Sequence, residues 1–382
     1  MTLLLHTADW QIGRTYSRFD PDDAAALAEA RIATVERLAR RAAERGADAV
    51  LVAGDVFDAQ SVSPRTLRRL FNALAPYAGP WVMIPGNHDA ALAEGVWAQV
   101  RRLDLLPPNV QVQLQPGIVE LPALRLAVLA APLTQRHTHD DTTAWFDDAD
   151  TPAGWHRVGL AHGAVQGLLA ADIDATNPIA PDRAARARLD YLALGDWHGA
   201  KRIDSRTWYA GTPEPDRFKD NDPGQVLWVT LGAPGEAPQV QAEPVGRHRW
   251  REQALPLAVP SDVDAAIAGL DAAAADEVLS LVVSGSIDLA AHQRLQRALQ
   301  AAEARVRALA VDQAGLRLAP TADDIASLQA DGYLGAVIAE LRDTPPDATP
   351  ERTRTAQDAL ALLATMLAEA RDAAAADEKG PA

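Results

Sequence analysis

Five short apolar runs in the first 200 residues share one layout: each reads as a strand, and each ends on an acid, a histidine or an asparagine. They are LLLHTADWQIG from Leu3, VLVAGDVFD from Val50, VMIPGNHD from Val82, VGLAHG from Val158 and YLALGDWHG from Tyr191. A side chain just past the end of a buried strand is carried to the rim of the sheet. Five repeats of the layout therefore bring ligands scattered through the sequence to one sheet edge.

Helical patterns alternate with these runs, as in the Ala- and Arg-rich stretch from Asp22 to Arg45 followed by a strand from Asp48 to Ala53. This predicts an α/β domain over residues 1–245. Later runs at Leu124 to Ala130, Trp208 to Ala210 and Gln225 to Leu231 have few helices between them, so part of the sheet is expected to be antiparallel. The segment Thr212 to Gly224, rich in Pro, Asp and Asn, reads as an ordered loop near the substrate mouth.

A β-α-β-α pattern follows: Gln253 to Val259, Ser261 to Leu270, Val278 to Ser284 and Ala290 to Ala304. It predicts a small α/β domain over residues 246–320. The remainder, 321–382, reads as a helical tail. One helix runs from Thr321 to Arg342 with Ile325, Leu328, Val337, Ile338 and Leu341 on one side, and a second from Pro350 to Ala375 with Leu360, Leu363, Met366 and Leu367. An apolar stripe must be buried somewhere, and the sequence leaves open whether a partner or the chain's own domain covers it. The final DEKGPA is expected to fray.

Composition narrows the chemistry. The 382 residues suffice for a large catalytic domain and a smaller second one. No apolar stretch approaches a bilayer span, and no secretory signal precedes the first strand, so a cytoplasmic protein without membrane contact is expected. The absence of Cys removes disulfides, thiolate nucleophiles and thiolate metal sites, leaving His, carboxylate and amide oxygen as ligands for harder metals. A net charge of −16 argues against nonspecific wrapping of nucleic acid by this chain alone, so metals or a partner must supply the positive charge. Basic groups at Arg65, Arg68 and Arg69, at Lys201, Arg202 and Arg206, and at Arg247, Arg249 and Arg251 read first as ordinary solvated faces.

Each motif has a bland reading and a chemical one. Asp9 taken alone is a turn former, with Gln11 two residues on. Asp55, after Gly54, is a candidate carboxylate shared between two cations, and Asp58 a candidate partner orienting a histidine. Asn87 offers an amide oxygen, while the adjacent His88 is left for proton or charge work. His162, Asp196 and His198 repeat the strand-then-ligand layout. A single such histidine is more often structural, but four recurrences are hard to assign to chance. His6 precedes its turn and reads as support for the site.

The motifs DWQ, GDVFD, GNHD, AHG and GDWH, in this order, resemble those of calcineurin-like metallophosphoesterases. HTADWQIGR and YAGTPEPDRF resemble the SbcD-like DNA repair exonucleases, including their YhaO-type relatives. The resemblance implies a sandwich of two mixed β-sheets flanked by helices, with a small α/β capping domain and a C-terminal helical tail. It implies a DNA exonuclease holding two divalent ions, Mn²⁺ foremost with Mg²⁺ as the alternative. It also implies a docking site in the tail for an SMC-like ATPase of the SbcC or YhaN kind, and leaves a homodimer open.

Carried over by position, one ion takes Asp9, Asp55, His198 and Gln11, the other Asp55, Asn87, His162 and Asp196, with His88 and Asp58 as the catalytic pair. Gln11 and Asp196 stand where the family pattern has histidine, which favours Mn²⁺ or Mg²⁺ over Zn²⁺. Two other readings stay open: a phosphoesterase for phosphoproteins, cyclic nucleotides or small esters, and a scaffold with a degenerate site that regulates an ATPase.

Overall fold

The computed structural model describes residues 1–167, 176–219, 221–319, 321, 333–342 and 349, together with isolated positions between 352 and 367. It divides into two compact units, Met1–Trp250 and Arg251–Ala382.

The first unit starts with strand β1 (Thr2–Thr7), helix α1 (Pro21–Arg45), β2 (Ala49–Ala53), α2 (Pro64–Ala73), β3 (Trp81–Ile84), α3 (Val96–Arg102) and β4 (Val110–Val112). It continues through β5 (Gly117–Leu121), β6 (Leu126–Ala131), β7 (His156–His162), the short pair β8 (Ala164–Val165) and β9 (Pro178–Ile179), and α4 (Arg183–Arg186). It closes with β10 (Tyr191–Gly195), β11 (Lys201–Arg202), β12 (Thr207–Tyr209), β13 (Gln225–Leu231) and β14 (Gln239–Pro244).

Two six-stranded sheets form among the described residues, ordered β14-β13-β1-β2-β3-β4 and β11-β12-β10-β7-β6-β5. Both are mixed: β1, β2, β3 and β4 run parallel, and β13 pairs with β1 antiparallel. In the other sheet β6, β7, β10 and β12 run parallel, while β5 and β11 are antiparallel.

Period-two alternation explains why the sheets stack. In β2, Ala49, Leu51 and Ala53 join Val128, Val158 and Tyr191 of the other sheet in the core between the two sheets. Val50 and Val52 point the opposite way, into a core with Val35 and Leu38 of α1 and Leu67 and Leu70 of α2. All five β2 residues are buried, as expected for a strand covered on both faces. The sheet is thus clamped between its helices and the other sheet.

Helix α1 shows how local sequence sets an element. Asp20 caps it by accepting from the Asp22 amide, Pro21 occupies the first turn, and Gly46 ends it in the left-handed region at φ 68°. Its inward stripe includes one charge, Arg31, which is buried with Leu27, Val35 and Leu38.

The second unit contains most of β15 (Arg249–Leu257), then α5 (Pro260–Asp271), β16 (Glu277–Ile287), α6 (Leu289–Glu303), β17 (Ala308–Leu318) and α7 (Tyr333–Arg342). Its sheet is ordered β15-β16-β17. The strand β17 extends the expected β-α-β-α pattern. Its Leu309, Val311, Leu316 and Leu318 are partly buried against the core of this unit, and the rest of its side chains are mostly half-exposed or exposed. Of the two tail helices expected, Tyr333–Arg342 is described, and Leu360, Leu363, Met366 and Leu367 are helical. Ile325, Leu328 and the terminal DEKGPA lie outside the described residues. No helix among the described residues is long and apolar enough to cross a membrane.

Candidate metal centre

Five parallel strands end at the same place. Asp9 lies two residues past β1, Asp55 two past β2, and Asn87 three past β3; His162 closes β7, and Asp196 follows β10 at once. The carboxyl ends of parallel strands are where α/β sheets place their ligands.

The loops there run side by side. The amide of Asp9 donates to the Gly54 carbonyl (3.0 Å), that of Gln11 to the Asp55 carbonyl (2.9 Å), and that of Ile12 to the Val56 carbonyl (2.9 Å). Asp9, Gln11, Asp55 and Asp196 all take positive φ, at 54°, 49°, 51° and 104°. Four non-glycine residues in this region mark strain held by the surroundings, which is typical of functional sites. Gly86 allows the close approach. A Cβ there would lie 2.2 Å from Asp55 Oδ1.

Among the described residues, Asp9, Asp55 and His162 form a cluster whose ligand atoms all lie within 4.8 Å of one another, and all three are buried. His162 Nε2 is 3.6 Å from Asp55 Oδ1 and 3.7 Å from Asp196 Oδ1. Asp196 joins the group from the second sheet, its amide donating to Asp9 Oδ1 at 3.1 Å. The amide nitrogen of Asn87 contacts Asp196 Oδ1 at 3.5 Å, and that of Gln11 donates to Asp55 Oδ2 at 2.7 Å.

Three atoms carry the fit to a cation. Gln11 Oε1, Asn87 Oδ1 and His162 Nε2 are buried without any hydrogen-bond partner. Orphaned polar atoms of this kind are costly in a folded protein. Here they adjoin buried carboxylates, and the donor set of carboxylate, amide oxygen and one imidazole suits a hard divalent ion. His162 Nδ1 meets the Ala53 carbonyl at 2.8 Å. A carbonyl only accepts, so Nδ1 carries the proton, as in metal-ligating histidines whose second nitrogen faces the ion.

The electrostatics agree. Burial pushes the Asp9 carboxyl up to about 6 against the pull of His198 and His162, and burial also raises Asp196. For His162 burial opposes the charge, but Asp55, Asp196 and Asp9 outweigh it and lift the imidazole to about 9. Burial thus works against the charge of these carboxylates, a cost that a bound cation would offset.

His88 and Asp58 meet through the main chain. His88 Nδ1 lies 2.9 Å from the main-chain carbonyl of Asp58, and the Asp58 carboxylate instead accepts from Arg14 at 3.0 Å. The His88 amide donates to Asp55 Oδ1 at 2.9 Å, tying His88 to the cluster.

His198 has other neighbours too. Its Nδ1 lies 3.2 Å from Asp216, and Arg217 Nη2 lies 2.7 and 2.8 Å from its two ring nitrogens. Ligation through Nε2 therefore requires the guanidinium to move aside. Burial would raise Asp216, but the hydrogen bond to His198 and the charges of Arg31 and Arg217 hold its carboxyl well below the usual range.

Two supporting residues were not singled out from the sequence. Asp89 is fully buried and accepts from the amides of Gly86 (2.6 Å), Val56 (3.0 Å) and Phe57 (3.3 Å), locking the Asp55 and Asn87 loops together. Burial and the neighbouring Asp55 carboxylate push it up to about 7. Arg31 donates to the carbonyls of Asp9, Trp10 and Glu214 and to the hydroxyls of Tyr16 and Thr212. Arg31 was legible as the one charge within an apolar helical stripe, and Asp89 as the last letter of GNHD.

The calcineurin-like phosphoesterase family model matches residues 2–269. The chain belongs to that family. Membership of the calcineurin-like phosphoesterases makes the chain a hydrolase of phosphoesters that works with divalent metal, in keeping with the donor set above. A segment of 93 residues is 42% identical to a subunit of the nuclease SbcCD from Rhodobacter capsulatus, covering 23% of this chain and 22% of that protein. The match thus spans less than a quarter of the curated relative. A solved structure, TT1561 of Thermus thermophilus, is 12% identical with a TM-score of 0.42, covering 64% of this chain and 99% of that one. That likeness is too slight to bear on the site.

Proposed function

We propose that this calcineurin-like phosphoesterase is a DNA exonuclease that works beside an SMC-like ATPase in the cytoplasm. The observation that carries the catalytic part is the convergence of Asp9, Asp55, His162 and Asp196 with three unpartnered donor atoms on one sheet edge. The partial likeness to an SbcCD nuclease subunit supports DNA as substrate and an SbcC- or YhaN-like ATPase as partner. The division into a catalytic region 1–245, an α/β cap 246–320 and a docking tail 321–382 belongs to the same proposal.

Asp9, Asp55 and Gln11, with His198 once Arg217 yields, would hold one divalent ion; Asp55, Asn87, His162 and Asp196 would hold the other. Mn²⁺ or Mg²⁺ held there would supply Lewis acidity to phosphate oxygens and lower the pKa of a water. The chain does the rest. Asp55 would serve both sites, His162 would present its fixed Nε2, and Asn87 would add an oxygen without charge. His88, its Nδ1 proton donated to the Asp58 carbonyl, has Nε2 left to face the leaving sugar oxygen, and in the imidazolium form would give it the Nε2 proton. Asp58 acts through this carbonyl and through its link to Arg14.

The test is degradation of end-labelled linear DNA with Mn²⁺, by wild type, His88→Ala and Asp55→Ala. Cleavage lost in both variants supports the reading. A wild type that binds metal and hydrolyses another phosphoester but leaves DNA intact overturns the nuclease assignment, and one that hydrolyses nothing favours a scaffold.

A further inference from the structure

Trp197 stands between two residues of the centre, Asp196 and His198, and its ring is approached by two cations. Lys201 Nζ and Lys219 Nζ each lie 4.9 Å from the ring centroid. An ammonium at this distance from an indole is held by the ring quadrupole. One side chain beside the metal ligands therefore gathers two positive charges from separate segments of the chain.

The segment carrying Lys219 is anchored. Asp216 is turned in to His198, and Arg217 lies against the same imidazole. Phe218 packs into an aromatic group with Trp250 and Phe19, at ring separations of 4.8 and 6.3 Å. With Phe218 fixed there, its neighbours Arg217 and Lys219 are committed to His198 and Trp197. Lys201 is fixed in its turn by strand β11, paired with Tyr209 of β12. Lys219 and Arg217 are exposed and Lys201 half-exposed, so solvent reaches this row.

This row of two lysines stands out in a chain of net charge −16, the neighbouring Arg217 being paired with Asp216 at 3.1 Å. One phosphate needs no such row, since the metal ligands and His88 already serve the reacting group. A strand of phosphates does need it: neighbours of the scissile phosphate enter a strongly acidic protein and must be met by positive charge. We propose that Trp197 positions Lys201 and Lys219 to hold the phosphates flanking the scissile one, so that the site takes a polynucleotide strand rather than an isolated phosphoester. This rests on the nuclease reading and specifies what the site recognises beyond the reacting group as the neighbouring phosphates of the backbone.

The experiment measures binding of a labelled oligothymidylate, and separately of inorganic polyphosphate, to the full chain in EDTA over a salt series. Wild type is compared with the double variant Lys201→Gln/Lys219→Gln and with its Lys→Arg counterpart. Each single-strand phosphate neutralised contributes about 0.7 to the slope of log affinity against log salt. Loss of both lysines should thus flatten the oligothymidylate slope by roughly 1.4, and the Arg variant should restore it. A merely structural role would change affinity without changing the slope. An unaltered slope in the Gln variant overturns the proposal, even if the wild type cleaves DNA; so does a wild type that binds neither polyanion. If the wild type binds polyphosphate with a slope the Gln variant flattens, but ignores the oligonucleotide, the cation row stands and the nuclease reading fails.

Discussion

His162 Nε2 faces Asp55 Oδ1 across 3.6 Å inside the protein, with no hydrogen-bond partner and with its other nitrogen committed to the Ala53 carbonyl. This pair joins the two sheets, since Ala53 ends β2 and His162 ends β7. Without an ion the pocket holds the imidazole as a cation, its pKa lifted to about 9.

Metal binding must displace that proton. Calorimetric titration with Mn²⁺ at pH 7.5 in buffers of different ionisation enthalpy should show proton release, with apparent affinity rising with pH up to about 9. His162→Gln should bind more weakly and lose the part of the release that belongs to the imidazole. Buffer-independent heats in the wild type would contradict this.

Asp89 touches no proposed ligand atom, yet it ties three amides around them. Asp89→Ala should lower Mn²⁺ affinity by about 10- to 100-fold, as for other residues that orient metal ligands. It should also destabilise the fold by about 1–3 kcal/mol for each amide left unsatisfied. Parallel dialysis and denaturant titrations check both effects.

Arg31→Met keeps an unbranched apolar stem and removes five hydrogen bonds to the Asp9, Trp10, Tyr16, Thr212 and Glu214 positions. A loss of about 3–5 kcal/mol is expected from leaving such a buried polar network broken. A denaturation midpoint equal to wild type would show that Arg31 is dispensable.

His6 sets an acid limit on stability. Burial lowers its pKa to about 3, below the ordinary 6.5 of the unfolded chain. Between these values the unfolded state takes up a proton that the folded state refuses. Stability from this group is therefore complete above pH 6.5 and falls as the pH is lowered toward 3. His6→Gln should flatten that part of the stability profile. His6 Nδ1 meets the Tyr191 hydroxyl at 2.8 Å, so Tyr191→Phe serves as a control that removes the contact but keeps the imidazole.

The sandwich was legible because its strands are short apolar runs that end on ligand-type residues, and the ligands of the centre come from those ends. Helix α1 was legible through its period and its caps. Other features depend on tertiary neighbours. That His88 is held by a carbonyl, and that Asp58 turns to Arg14, cannot be read from spacing, because both partners sit in irregular loops. Arg217 against His198 and the two lysines on Trp197 depend on how the 212–224 loop folds back, which its Pro- and Asp-rich composition does not encode. Strand β17 is harder to read because the alternation of Leu309 and Val311 with Leu316 and Leu318 is interrupted between Asp312 and Gly315, where its pairing with β16 shifts register.

The most direct measurement is anomalous diffraction from crystals of the full chain soaked in Mn²⁺. The account predicts two peaks about 3.5 to 4 Å apart, with Asp55 between them, Asp9 on one and His162, Asn87 and Asp196 on the other. No peak, or a single peak that Asp55 does not touch, would contradict it.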